Sequence, residues 1–319
     1  MASEVMKDFI LPFLLLVVSG MQLQAHSDTI AIRKDKGNHL HASMVLQQKQ
    51  EVRVMLESGI PFPMLDSTFV FNNLKKLGFK PIPSSISMNL NGKRLRCFYE
   101  INDTVYLNNS YYKGKTLIAN LSSRKIEMMY PIQTFVNSTD SGSCILEMDI
   151  EQQFLRFLTK EELQAKKAAY HLFKMEKIEP GEMYIISSSL FIQDTTGHTS
   201  SLEGRFLLDL GNSMFLFLLE KTPKTREFLK TSVVKPQRGY SSDGKPSPLQ
   251  AMVIPEGRFD NDINFSDVLI GITPFLKMNC EGILGIKFFE QFPVIFDFGS
   301  RRFYLKKKES DRSLQMCNE

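Results

Sequence analysis

The sequence predicts an all-β protein of two similar β-barrel lobes, related by a pseudo-twofold axis and accompanied by minor helices. Three observations predict this fold class. Short segments with alternating apolar residues, typical of strands, recur along the chain. One seven-residue motif occurs twice, and each copy stands at a similar distance from a closing hairpin.

The repeated motif is an arginine, three apolar residues, a carboxylate, one further residue and a glycine. Residues 53–59 read R-V-M-L-E-S-G, and residues 205–211 read R-F-L-L-D-L-G. The two carboxylates are 209 − 57 = 152 positions apart. We interpret the echo as an internal repeat, although β-rich chains also reuse similar strands by chance.

The closing hairpins support the same interpretation. When Asp149 is aligned with Asp297, apolar residues match on both sides of the aspartate. The distance from the motif carboxylate to this aspartate is 149 − 57 = 92 residues in the first half and 297 − 209 = 88 in the second. Both aspartates are expected to have structural roles in their hairpin turns.

Length and composition describe an ordinary globular protein. The 319 residues permit two domains, and 43% of them are hydrophobic while 23% are charged. The formal net charge of +4 is spread along the chain, apart from three lysines at 306–308. No nucleic-acid-binding motif is present, so we expect no nucleic-acid partner.

The first 25 residues predict a secretory signal. Lys7 precedes a short apolar run over 10–20, and the small residue Ala25 follows. The run is too short to span a bilayer comfortably, so no membrane span is expected in the mature protein. We therefore expect an exported protein, periplasmic or extracellular.

The remaining chain is divided by composition. The expected parts are a signal peptide over 1–25, an N-terminal lobe over 26–159, an interlobe linker over 160–180, a C-terminal lobe over 181–308 and a tail over 309–319. Residues 160–177 are rich in helix formers, which predicts a helix or strap between the lobes.

Cysteines and histidines give little evidence of cofactor chemistry. Export makes disulfides possible, and pairing within each half is the expectation, with free thiols as the alternative. Histidines are scattered and no metal-ligand spacing occurs, so we expect no metal and no other cofactor. The four cysteines are Cys97, Cys144, Cys280 and Cys317.

Both halves carry segments that resemble the pepsin and retropepsin superfamily of aspartic proteases. Residues 282–305 look like the closing segment of such a lobe, and D-L-G-N-S at 209–213 resembles the second catalytic loop. E-S-G-I-P-F-P-M-L-D-S-T-F at 57–69 stands at the place of the first loop. The resemblance covers roughly residues 42–307. The sequence most resembles secreted bacterial retropepsin-like proteins with two fused lobes.

The resemblance implies that Glu57 and Asp209 are the catalytic pair. In that family two carboxyl groups face each other and share one proton, because like charges so close together cannot both ionise. The ionised carboxylate activates a water molecule, and the protonated one polarises the peptide carbonyl. This chain has glutamate where the first aspartate is expected. Its extra methylene displaces the carboxyl by about 1 Å, which costs on the order of 100-fold in rate.

Five further residues are expected to support the catalytic loops. Ser58 keeps the hydroxyl that joins the lobes, and Gly59 keeps the tight turn. Leu210 has no hydroxyl, which removes one side of the interlobe lock. Gly211 keeps the second turn, and Asn212 could orient a carboxylate by donating a hydrogen bond.

Two features of the first half remain open. The Asn91-Gly92 pair predicts a hairpin, either a flap over the active site with Tyr99 near the ligand or an ordinary sheet hairpin. Ile283-Leu284-Gly285 is the family's hydrophobic-hydrophobic-glycine signature in the second half. The first half has no match, and Pro131-Ile132-Gln133 lies in roughly that region.

Three functions are compatible with this sequence. The first is a weakly active or inactive aspartic-protease-like protein that binds an extended peptide between its lobes. The second is a working endopeptidase that uses Glu57 and Asp209. The third is a structural β-protein of the cell envelope. A peptide or protein in the interlobe cleft is the expected partner, and the sequence does not decide the oligomeric state.

Overall fold

The computed structural model describes residues 29–90, 93–137, 144–178, 183–240, 246–260, 263–274 and 278–307. Within these ranges the chain forms 24 strands and four α-helices. The predicted fold class, all-β with two lobes and minor helices, is confirmed. The predicted signal peptide and the tail lie outside the described residues.

The first half contains fourteen strands, most of them short. In chain order they are β1 (Thr29–Lys34), β2 (Leu40–Leu46), β3 (Gln50–Glu57), β4 (Met64–Asp66), β5 (Ile82–Pro83), β6 (Ser87–Leu90), β7 (Lys93–Ile101), β8 (Thr104–Leu107), β9 (Ser110–Lys113), β10 (Thr116–Ala119), β11 (Met128–Pro131), β12 (Val136–Asn137), β13 (Ile145–Asp149) and β14 (Phe154–Phe157).

The second half contains ten strands. They are β15 (Tyr170–Ile178), β16 (Met183–Gln193), β17 (Thr199–Leu208), β18 (Leu216–Leu219), β19 (Lys235–Tyr240), β20 (Pro246–Phe259), β21 (Ile263–Thr273), β22 (Gly282–Leu284), β23 (Val294–Asp297) and β24 (Arg302–Lys306). The helices are α1 (Ser67–Leu77), α2 (Lys160–Lys166), α3 (Pro223–Lys230) and α4 (Ile286–Gln291).

The two halves build the same ladder around the strand that ends at the motif. In the first half β2 pairs antiparallel with β3, and β11 runs parallel to β3. In the second half β16 pairs antiparallel with β17, and β22 runs parallel to β17. The alternating burial of β2, with every second side chain inside, is what its L-H-A-S-M-V-L pattern predicts.

A sheet shared by both halves shows the pseudo-twofold relation in its register. Strands β13 and β23 pair antiparallel, and Glu147 lies opposite Ile295. Aligning Asp149 with Asp297 relates the two halves by an offset of 148 residues, so residue 147 is equivalent to residue 295. A residue therefore faces its own equivalent, so the pseudo-twofold axis passes between these two strands.

The hairpins next to this axis also match residue for residue. The register of β13 with β14 pairs Asp149 with Phe154, and that of β23 with β24 pairs Asp297 with Arg302. Adding 148 to 149 and 154 gives 297 and 302. The β13–β14 and β23–β24 pairings therefore have equivalent registers.

The connection between the halves is helical only in its first part. Thr159 and Glu162 form a capping box at the start of α2, which ends at Lys166. A short 3₁₀ turn, Lys167–Ala169, follows, and the chain then forms β15, which pairs with β24. Residues alternate between outside and inside over 172–176, the period-two pattern typical of a strand.

The expected disulfide within the first half is wrong. Cys97 and Cys144 are both free and buried, and Cys280 is free and buried as well. Cys97 packs in a cluster beside the motif loop, whereas Cys144 belongs to the main core. Cys317 lies outside the described residues. No helix in the described ranges is long and apolar enough to cross a membrane.

Candidate active site

The two motif carboxylates stand at equivalent places in the two ladders. Strand β3 ends at Glu57, and Asp209 directly follows β17. Leu56 pairs with Tyr130 of the parallel neighbour, as Leu208 pairs with Leu284. Each carboxylate therefore leaves its sheet at the same point.

The two loops meet across the lobe boundary, and each carboxylate lies against the glycine of the other loop. A Cβ atom added to Gly211 would overlap the carboxyl oxygens of Glu57. One added to Gly59 would overlap those of Asp209. Only glycine leaves this space, so both glycines are required for the carboxylates to approach each other. Glu57 is 4% exposed, and Asp209 is half-buried.

Ser58 joins the two loops by hydrogen bonds. Its Oγ donates to the carbonyl of Leu208 and accepts from the N–H of Leu210, both at 2.9 Å. Leu210 makes no such bond in return. Its side chain is fully buried in the main hydrophobic core. The side-chain hydrogen bonds across the lobe boundary are thus made by Ser58 alone, and the equivalent residue Leu210 packs in the core instead.

Burial raises the pKa values of both carboxyl groups. Burial raises the pKa of Glu57 well above its ordinary value of 4.5, and the charge of Asp209 raises it further, while Arg124 partly opposes this. Burial raises the pKa of Asp209 to about 6, although its Oδ1 accepts a hydrogen bond from the Gly211 N–H at 2.9 Å. Such a pair titrates together and retains protons at pH values where isolated carboxyls are ionised.

The loop of the first half is braced by a side chain that the sequence reasoning did not identify as functional. The Nε2 of Gln133 donates to the carbonyls of Ser58 at 3.3 Å and Ile60 at 3.1 Å. The residue in register with the signature glycine is Pro131, two residues earlier. The only sequence signal was that the signature is missing from this half.

The loop of the second half is braced by backbone and by Asn212. The N–H of Ile286 donates to the Asn212 carbonyl at 2.7 Å. The Asn212 amide donates to the Ile283 carbonyl at 3.1 Å and accepts from the Met214 N–H at 3.1 Å. The expected role of Asn212 as a donor to the carboxylate is therefore not seen; its amide holds the loop instead.

Two glutamates hold the motif arginines at equivalent positions. The carboxylate of Glu127 accepts from the Arg53 N–H at 2.8 Å. The carboxylate of Glu281 accepts from the Arg205 N–H, also at 2.8 Å. In sequence they precede β11 and β22 directly, a match that becomes visible only when the parallel strands are aligned.

The hairpin aspartates have the structural role that was expected of them. Oδ1 of Asp149 accepts from the Gln152 N–H, and Oδ1 of Asp297 accepts from the Ser300 N–H, both at 2.9 Å. Each bond closes a turn, and the two turns are equivalent under the offset of 148.

The possible flap is only partly described. Asn91 and Gly92 lie outside the described residues. Strands β6 and β7 on either side pair as a hairpin. Tyr99 is 37% exposed and its ring packs edge-on against Phe71 of α1, with centroids 5.1 Å apart. Its contact is thus with a helix of its own lobe, and a ligand contact at Tyr99 stays a prediction.

Arg124 and His39 complete the surroundings of Glu57. Arg124 ends a 3₁₀ turn, Ser122–Arg124, and its charge lowers the pKa of both Glu57 and His39. His39 immediately precedes β2, whose first residue Leu40 pairs with Leu56, the residue before Glu57. No group of three metal-binding side chains suited to a metal ion occurs in the described ranges.

Comparison with known proteins supports the fold class. No family model matches the chain, and no curated protein matches it. The chain is similar to the crystal structure of the aspartic proteinase from Irpex lacteus, with a TM-score of 0.54 and 11% sequence identity. The match covers 88% of this chain and 97% of that one. At this identity the likeness shows a pepsin-like fold.

Proposed function

We propose that this protein binds an extended peptide between its lobes and hydrolyses it slowly, with Glu57 and Asp209 as a proton-sharing carboxyl pair. The observation that carries the proposal is the reciprocal contact of each carboxylate with the glycine of the opposite loop. This contact places two acids with raised pKa values at one junction. The similarity to an aspartic proteinase supports peptide as the ligand class.

The chemistry needs one proton on the pair. The ionised carboxyl removes a proton from a water molecule that attacks the peptide carbonyl, and the protonated carboxyl donates to the carbonyl oxygen. Because burial raises the pKa of Asp209 to about 6 and that of Glu57 well above 4.5, the pair keeps one proton at a higher pH than two ordinary carboxyl groups would. We therefore expect a bell-shaped rate profile whose maximum lies at about pH 6 or above, rather than near pH 4.

The departures from two matched aspartate loops predict a slow rate. Asp209 reaches Gly59 with one methylene fewer than Glu57 uses to reach Gly211. Misplacement of a catalytic group by about 1 Å costs on the order of 100-fold. Leu210 also leaves the interlobe lock one-sided.

A digest of a random peptide library across pH 3–8 tests this proposal. We expect cleavage near pH 6 that falls by at least about 100-fold in Asp209→Asn and in Glu57→Gln. Glu57→Asp is expected to raise the rate about tenfold, because the pair then becomes symmetric. Cleavage that survives both neutral substitutions would belong to another enzyme and would overturn the catalytic assignment.

Peptide binding without turnover is the second candidate, favoured by the deep burial of Glu57. It predicts that library peptides bind to the wild-type protein and remain intact at every pH.

A further inference from the structure

Arg124 stands on a turn that packs beside the first carboxylate loop. Leu121 and Ile126, on either side of the turn, are buried in the same apolar cluster as Ile60. Ile60 directly follows Gly59, so the cluster joins the turn to the loop that carries Glu57. The turn is fixed from the other side by Asp66, whose Oδ2 accepts from the Leu121 N–H at 2.8 Å.

The guanidinium of Arg124 lies near two titratable groups but bonds to neither. Arg124 is half-buried, and its charge lowers the pKa of both Glu57 and His39. The described residues include no hydrogen-bond acceptor or ion-pair partner for its side chain. The carboxylate nearest to His39 is occupied, since Asp35 accepts from the backbone N–H of His39 and bonds His41.

The corresponding place beside Asp209 is apolar. Glu127 and Glu281 occupy equivalent positions in the two lobes and are 154 residues apart in sequence. By the same offset, Met278 is the residue equivalent to Arg124. The β16–β17 register pairs Ile185 with Leu207, and extending it by two residues makes Met183 the counterpart of His39. Both methionines pack against the small apolar cluster of the second lobe. Among the described residues, the two positions equivalent to Arg124 and His39 are thus uncharged on the Asp209 side.

An arginine in this situation is suited to an anionic ligand. Its planar guanidinium offers five N–H donors and no acceptor, and it matches a carboxylate with two parallel hydrogen bonds. Glu57 does not serve as that partner, because it makes no ion pair with Arg124 and its own pKa is raised. Within the described ranges the donors therefore remain available to a ligand.

We propose that Arg124 binds a carboxylate of the peptide held between the lobes, so that the preferred substrates carry an acidic residue near the scissile bond. The inference rests on the proposed peptide-binding function and names its substrate class. Arg124 acts here as a specificity residue, on the Glu57 side of the pair only.

Binding of blocked octapeptides at pH 7 tests the proposal. Eight pools carry Glu or Gln at one position each, with neutral residues at the other seven, and bound peptides are identified by mass spectrometry. The protein carries Asp209→Asn so that peptides stay intact, and the measurement is repeated with the wild type. We expect one position at which Glu binds about tenfold more tightly than Gln. A further pool with a free C-terminal carboxylate separates that source of charge from an acidic side chain.

The matched variants are Arg124→Gln and Lys125→Gln, which remove the same charge from adjacent residues. Lys125 is exposed, and no ion pair of its side chain occurs within the described ranges. We expect the Glu preference to disappear in Arg124→Gln and to persist in Lys125→Gln. A preference that survives Arg124→Gln, or no preference at any position, overturns the inference while peptide binding stands. If no pool binds, the proposed function fails, and the inference fails with it.

Discussion

The two carboxylate loops have the same backbone arrangement, but different side chains support it in each lobe. In the first, a hydroxyl reaches across the lobe boundary and the Gln133 amide holds two carbonyls. In the second, Leu210 is buried in the core, and the Ile286 N–H and the Asn212 side-chain amide hold the loop. The ladders and the bracing glutamates match in both. The geometry of such a pair is therefore set by the strands and glycines, while the remaining contacts differ between the lobes.

The strongest way to break the comparison is to fill the space between a carboxylate and the facing glycine. In Gly211→Ala the new Cβ would overlap the Glu57 carboxyl, which must move. We expect peptide hydrolysis to fall by at least about 100-fold, and the free energy of unfolding to fall by about 1–3 kcal/mol. Rates and denaturant unfolding measure the two effects.

Gly197→Ala is the control for that substitution. Gly197 has a φ of +84°, and an added Cβ would meet only Gln193, at 3.9 Å. It should lose about 1 kcal/mol of stability through backbone strain and keep its activity. Equal activity in wild type and Gly211→Ala would show that the carboxylates need no such approach.

A serine at position 210 would sharpen the difference between the two loops. Leu210→Ser restores a hydroxyl at the place equivalent to Ser58, but it removes a fully buried leucine from the core. We expect a loss of about 2–5 kcal/mol in unfolding free energy and no gain in activity, because the cavity outweighs the new hydrogen bond. Increased stability in denaturant unfolding would mean that the missing hydroxyl, not core packing, limits this loop.

The amide of Gln133 gives the smallest expected loss. Gln133→Leu removes its hydrogen bonds to the Ser58 and Ile60 carbonyls, although it also removes a buried Oε1 that has no partner among the described residues. We expect a loss of about 1 kcal/mol in unfolding free energy and a reduced kcat with little change in KM. If Gln133→Leu has the same rate profile as the wild type, the Gln133 hydrogen bonds do not position Glu57.

Sequence reasoning was sufficient where a residue's role follows from a repeated pattern. The alternating segments, the two motifs and the alignment of Asp149 with Asp297 predicted the two-lobed β-fold with its repeated halves. The proximity of Glu57 to Gly211 depended on a resemblance, because residues 154 positions apart share no local signal.

Other features required the three-dimensional register. Gln133, Arg124 and His39 have no motif, and their positions follow from parallel and antiparallel pairing with β3. The linker was predicted as a helix or strap, and the strand β15 in its second part was not predicted because it depends on pairing with β24. The Cys97–Cys144 pairing failed because membership of the same half says nothing about distance.

The most direct test of the proton-sharing pair is a double-mutant cycle of Glu57→Gln and Asp209→Asn, followed by denaturant unfolding at pH 3.5 and pH 8. Both pKa values are raised in the folded state, so the folded protein holds its protons more tightly than the unfolded chain. The contribution of this pair to stability is therefore fully present below about pH 4 and is lost as the pH rises through about 6.

For each single substitution, the account predicts a gain in unfolding free energy over the wild type that is larger at pH 8 than at pH 3.5. The reason is that the substitution removes a charge that is buried at pH 8. The double substitution should gain less than the sum of the two, by about 1 kcal/mol or more at pH 8, and should be additive at pH 3.5. Additive effects at both pH values, with no gain at pH 8, would show that Glu57 and Asp209 titrate independently and would contradict the account.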